Sequence, residues 1–138
     1  RQAGRLSAVV ARHLPPGGSV AILGLAYKPN TPVVEESQGL MLAADLAARG
    51  VAVTAYDPLA LTNARAVLGE SVRYATSLED AAVNAAIIVI ATPDPAFRAL
   101  PALLEQHGNA PVIFDCWRLL AGLPVQARVI GLGQGVPA

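Results

Sequence analysis

Short apolar runs of strand length alternate along this chain with helix-length segments, and that rhythm restricts the fold more than any single residue does. The sharpest run, residues 86–91, reads Ala-Ile-Ile-Val-Ile-Ala. It is continuous and β-branched, as expected of a strand covered on both faces. Residues 19–24 have the same character, and further strands are predicted at 51–56, 72–75, 111–115 and 127–130. Between them, helices are predicted at 37–49, 59–68, 78–83 and 96–107, with a first amphipathic helix over 1–14 carrying Leu6, Val9, Val10 and His13 near one face. Strands alternating with helices of this length specify a parallel sheet with right-handed crossovers. The expected fold class is α/β, a single doubly wound, Rossmann-like domain on a mainly parallel six-stranded sheet.

Local chemistry punctuates the rhythm. Pro15-Pro16-Gly17-Gly18 stops the first helix, Thr92-Pro93-Asp94-Pro95 breaks the strand before it, and Gly50, Gly69 and Gly108 stand where helices close. Ser77 is suited to cap a short helix, and Ser37 is a candidate N-cap for the helix over 37–49. Thr31-Pro32 offers an earlier start that would put Glu35 and Glu36 in the first turn, and the residues alone do not choose between the two. Gly131-Leu132-Gly133 has no helix after it and reads as a turn.

With 138 residues, the chain is the size of one average domain. Ten Lys and Arg balance ten Asp and Glu, leaving no basic footprint for nucleic acid. One Cys excludes an internal disulfide framework and a multi-cysteine zinc site, and fits a reducing, cytoplasmic setting. The longest apolar stretch, residues 81–91, contains Asn84 and is about half of what a bilayer-crossing helix requires, so no membrane association is expected. The chain opens at Arg1 and its single Met is Met41, which predicts a piece of a longer protein.

In open parallel sheets, ligands bind beyond the carboxyl ends of the strands, where strand order reverses. That rule nominates residues 24–30, Asp57-Pro58, 92–94 and 115–118. A dinucleotide site after the first strand fails on inspection. Gly24 holds the first fingerprint position, but Ala26 and Tyr27 stand where backbone must approach a pyrophosphate. Asp57 ends the second strand where an acid would hold a ribose hydroxyl, which alone is weak evidence. Lys28, the one lysine beside nine arginines, is the sharper feature: a point charge on a flexible stem, next to Tyr27, in a nominated loop. It reads either as a ligand-facing amine or as a solvated loop residue. Cys116 reads as a small packed apolar residue, since neither His13 nor His107 is near it in sequence. Trp117 and Arg118 read equally as contacts to a base or phosphate and as packing over the sheet edge.

Gly24-Leu25-Ala26-Tyr27-Lys28-Pro29-Asn30-Thr31, then Glu36-Ser37, then Ala55-Tyr56-Asp57-Pro58, together resemble the C-terminal domain of the UDP-glucose/GDP-mannose dehydrogenases, and Val112-Ile113-Phe114-Asp115 resembles the family's later strand. The likeness runs over about residues 18–133. It implies a nucleotide-sugar-binding domain of an NAD-dependent enzyme that oxidises a sugar alcohol to a carboxylate in two steps through a cysteine thioester. That cysteine lies upstream, so no catalytic residue is expected here and no metal site. Residues 1–16 would be a connecting helix from a central segment and 17–138 the UDP-sugar-binding domain. NAD would be held mainly by an N-terminal domain, and the whole protein would be a homo-oligomer.

Residue by residue, the resemblance makes Tyr27, Lys28 and Arg118 the substrate-binding candidates. It puts Glu35 at the position of an Arg that reaches NAD in the family. Pro32 and Val33 replace two Asp, Gln38 replaces a Pro, and Cys116-Trp117-Arg118 replaces a Gly-Arg. These departures keep a second reading open, a non-catalytic α/β domain that binds a nucleotide or a protein partner. A flavodoxin-like or receiver domain would need an acidic cluster or a flavin-cradling loop after the first strand, and neither is present.

Overall fold

The computed structural model describes residues 2–131. Its elements follow in the order α1 (Gln2–His13), β1 (Ser19–Leu23), α2 (Gln38–Ala48), β2 (Ala52–Tyr56), α3 (Leu61–Leu68), β3 (Arg73–Tyr74), α4 (Leu78–Ala82), β4 (Ile87–Ile90), a 3₁₀ turn (Pro95–Ala99), α5 (Leu100–His107), β5 (Val112–Asp115) and β6 (Arg128–Gly131). All six strands are parallel, in the order β3-β2-β1-β4-β5-β6. Strand order therefore reverses between β1 and β4, whose register pairs Val20 with Ile87 and Leu23 with Ile90.

The pleat explains why both central strands are apolar throughout. Alternate residues point to opposite faces. Val20 and Ile22 of β1, with Ile87 and Val89 of β4, enter one core beneath α1, α2 and α3. Ala21, Leu23, Ile88 and Ile90 enter the other, with Phe97, Leu100 and Leu104 of the 3₁₀ turn and α5. Leu6 and Val10 of α1 belong to the first core, and His13 packs edge-on against Phe114 at 5.4 Å between ring centres. No helix among the described residues is long and apolar enough to cross a membrane.

Several expected boundaries shift, each for a local reason. The segment expected as one helix over 96–107 is a 3₁₀ turn followed by α5, because Pro101 sits in the first turn of the α-helix and has no N–H to extend a ladder from before it. Helix α3 starts two residues later than expected, since Leu59 and Ala60 form a turn held by Asp57. Of the two starts open for α2, the structure takes the later: Ser37 Oγ accepts from the Leu40 N–H at 3.0 Å. Glu35 and Glu36 thus precede the cap instead of occupying the first turn. Gly131 ends β6, while Leu132 and Gly133 of the expected turn lie outside the described residues.

Candidate functional site

The chain leaves β1 at Gly24 with φ of +104°, a conformation that L side chains avoid, and a Cβ there would come within 2.5 Å of Thr92 Oγ1. Across the crossover, a Cβ on Gly39 of α2 would stand 1.9 Å from the Gly24 carbonyl oxygen. Gly24 and Gly39 thus let strand and helix touch, as the outer glycines of a dinucleotide fingerprint do, but a long loop intervenes. That loop is anchored from inside. Leu25, Ala26 and Val34 are buried, and the Leu25 and Ala26 N–H groups donate to Asp57 Oδ2 at 2.9 and 3.2 Å.

Asp57 is 4% exposed, and its Oδ1 accepts from Leu59 and Ala60 at 2.9 and 3.0 Å. With two N–H donors on each oxygen, its acceptor capacity is filled, so the ribose-holding role weighed for it from sequence does not apply. Farther out, the Tyr27 N–H donates to Val33 O at 2.7 Å, and Asn63 Nδ2 donates to Pro32 O at 2.7 Å. The loop folds back on itself and leaves Tyr27 (58% exposed) and Lys28 on its outside.

A second carboxylate organises the rim after β5. Asp115, 2% exposed, accepts from Trp117 and Leu119 N–H groups on Oδ1 at 3.3 and 3.0 Å, and from Leu120 on Oδ2 at 2.9 Å. Arg118 takes φ of +54° inside this turn. The Trp117 indole reaches across to β4, where Nε1–H donates to Ala91 O at 2.9 Å.

Between these two rims lies a groove of about 350 Å³, at the reversal of strand order. Tyr27 and Lys28 line it from the β1 loop, Glu36 and Gln38 from the start of α2, and Ala91 and Trp117 from the ends of β4 and β5. It offers one cation, one anion and two aromatic side chains. Lys28 makes no ion pair among the described residues. Glu36 holds φ of +60°, and non-glycine residues in that region are characteristic of sites where shape is imposed. Close by, Thr92 Oγ1 is buried with no hydrogen-bond partner. A larger cleft of about 670 Å³ lies at the amino ends of β1 and β2, but its Arg73 is already paired with Asp80 at 3.2 Å and bonded to Thr54. Position and chemistry both favour the smaller groove.

The structure thus brings Tyr27 and Lys28 together and adds Trp117, which sequence reasoning left undecided, with Glu36 and Gln38, which it did not assign to a site. Arg118 lines a separate apolar cavity of about 320 Å³ with Leu120, Leu123 and Val125. Glu35 is exposed on the turn before α2 and lines neither. Cys116 is buried, and burial together with the neighbouring Asp115 charge pushes its thiol up to about 12, so it stays protonated. An autonomous dinucleotide site does not fit these residues. The first amides after β1, those of Leu25 and Ala26, are spent on Asp57 and are not open to a pyrophosphate.

Residues 21–122 match the family model described as the UDP-glucose/GDP-mannose dehydrogenase family, UDP binding domain. Among curated proteins, UDP-glucose 6-dehydrogenase YwqF of Bacillus subtilis is 31% identical over 122 residues, covering 86% of this chain and 28% of that protein. The solved UDP-glucose dehydrogenase of Pyrobaculum islandicum superposes with a TM-score of 0.69 at 36% identity, over 83% of this chain and 25% of that one. A UDP-D-ManNAc dehydrogenase of Pyrococcus horikoshii gives 0.68 at 27% identity, over 95% of this chain and 29% of that one. The chain therefore spans little more than a quarter of the length of the proteins it matches.

Proposed function

We propose, since this chain belongs to the UDP-glucose/GDP-mannose dehydrogenase family as its UDP binding domain, that its groove between the β1 and β5 rims holds the nucleoside diphosphate end of a UDP-sugar. The observation that carries this is the placement of Lys28, an amine without an ion pair among the described residues, beside Tyr27 and Trp117 at the reversal of strand order. An ammonium suits a diphosphate oxygen as a point charge, and flat aromatic faces suit a base.

On this reading the whole protein is an NAD-dependent UDP-glucose or related UDP-sugar 6-dehydrogenase, taking a sugar alcohol to a uronate in two NAD-dependent oxidations. Residues 17–138 form the UDP-sugar-binding unit, and residues 1–16 lead into it from a central segment. NAD is held mainly by a separate N-terminal domain, which accords with the poor fit of the β1 loop to a pyrophosphate. The same reading makes the full-length protein a cytoplasmic homo-oligomer that supplies uronates for polysaccharide synthesis. A second reading, a non-catalytic nucleotide-binding or protein-binding domain, is favoured by the acidic Glu35 at the position of the family's NAD-reaching Arg.

Calorimetric titration of the chain with UDP, UDP-glucose and UDP-N-acetylmannosamine tests the proposal. Saturable heat is expected with at least one of them, and Lys28→Ala is expected to weaken binding on the order of tenfold, the scale of one charge-assisted contact. Silence with all three nucleotides overturns it.

A further inference from the structure

Trp117 has a place in the groove that binding through Lys28 does not explain. We infer that Trp117 is the platform on which the nucleobase of the bound nucleotide stacks, with the diphosphate directed toward Lys28. This rests on the reading of the groove as a UDP-sugar site.

Three observations converge on it. The indole is fixed at both ends: its main chain is held by Asp115, and its Nε1–H is spent on Ala91 O at 2.9 Å. The residue nevertheless remains 38% exposed and lines the groove. An indole whose one donor is satisfied has only its π-face left to offer, and a flat conjugated base is the part of a UDP-sugar that matches such a face. A sugar presents only patches of C–H, a weaker match.

The second observation is charge. Lys28 and Glu36 line the same groove with opposite sign, so the lining carries no net charge with which to grip a diphosphate. Binding there needs a contribution that is not ionic. The third is Arg118, a cation next to Trp117 in sequence that does not line the groove. It has a left-handed backbone and lines the separate cavity with Leu120 and Val125. Base stacking on an aromatic side chain is sequence-tolerant and large enough to matter, which fits a groove whose charges cancel and whose Trp117, unlike the outlying Tyr27, is pinned in place through its indole N–H.

The chain holds a single Trp, so its fluorescence reports on this residue alone. Titration of the chain with uridine 5′-monophosphate and with UDP is expected to quench that emission saturably, while glucose 1-phosphate leaves it unchanged. By calorimetry, Trp117→Ala is expected to weaken UDP binding on the order of tenfold. Trp117→Phe keeps a stacking face and is expected to stay within about threefold of the parent, which guards against a merely unfolded Ala variant. If UDP gives heat but the emission does not respond, or if Trp117→Ala binds UDP as the parent does, the stacking role is overturned while the binding site stands. Quenching by glucose 1-phosphate without quenching by uridine 5′-monophosphate overturns it equally, by placing the sugar on the ring. No heat from any nucleotide overturns the binding reading and this inference with it.

Discussion

Asp57 was readable as a ligand-binding acid because it ends a strand at the edge where ligands bind, and its real work is visible only in three dimensions. Two of its four donors, Leu59 and Ala60, are local, the signature of an Asx turn. The other two, Leu25 and Ala26, lie on a different strand's loop, and nothing in the spacing announces them. Asp57→Asn replaces one acceptor oxygen by a donor facing two N–H groups. It is expected to cost about 2–4 kcal/mol of stability, read by denaturant unfolding, the range for charged bonds lost with buried partners stranded. Cys116, by contrast, behaves as the sequence suggested, a packed thiol. Because the folded state holds its pKa at about 12, above the ordinary 9.0, its contribution to stability is complete below pH 9 and is lost as pH rises from there. A disulfide reagent at pH 8 is therefore expected to label the native thiol slowly and the denatured chain fast; equal rates would contradict the burial.

At the level of elements, strand identity was the most legible part of the chain, since continuous β-branched runs have few other uses. Ends were less so. Pro101 divides what periodicity joins, and the later start of α3 follows from a carboxylate outside the helix. Gly39 is the instructive miss. It sits inside the first turn of α2, where Ala would ordinarily gain about 1 kcal/mol of helix propensity. A methyl group there would meet the Gly24 carbonyl oxygen at 1.9 Å. Gly39→Ala is therefore expected to lower the thermal midpoint and to cost about 1–3 kcal/mol, because α2 must lift off β1. A neutral or stabilising effect would refute the close packing. The spacing of a dinucleotide fingerprint does not reach this glycine, because a long loop separates it from Gly24.

Across the whole molecule, alternation of strands and helices was enough to specify a doubly wound sheet, and the reversal between β1 and β4 then selected one rim out of many loops. Tyr27 and Lys28 fall on that rim, whereas Arg118, in a left-handed turn that no pattern announces, lines a separate cavity. With no dinucleotide cradle after β1, the chain by itself is expected to form no NADH from NAD and UDP-glucose, measured by absorbance, even where it binds the nucleotide. Turnover by the chain alone would overturn the proposed division of labour.

Two buried aspartates, one closing β2 and one closing β5, stitch the rims through seven main-chain amides and ask nothing of the side chains that project from those amides. The outline of the cleft is thereby insulated from its vocabulary. A different ligand could be accommodated by rewriting the outward-facing letters alone, with the hem left as it is.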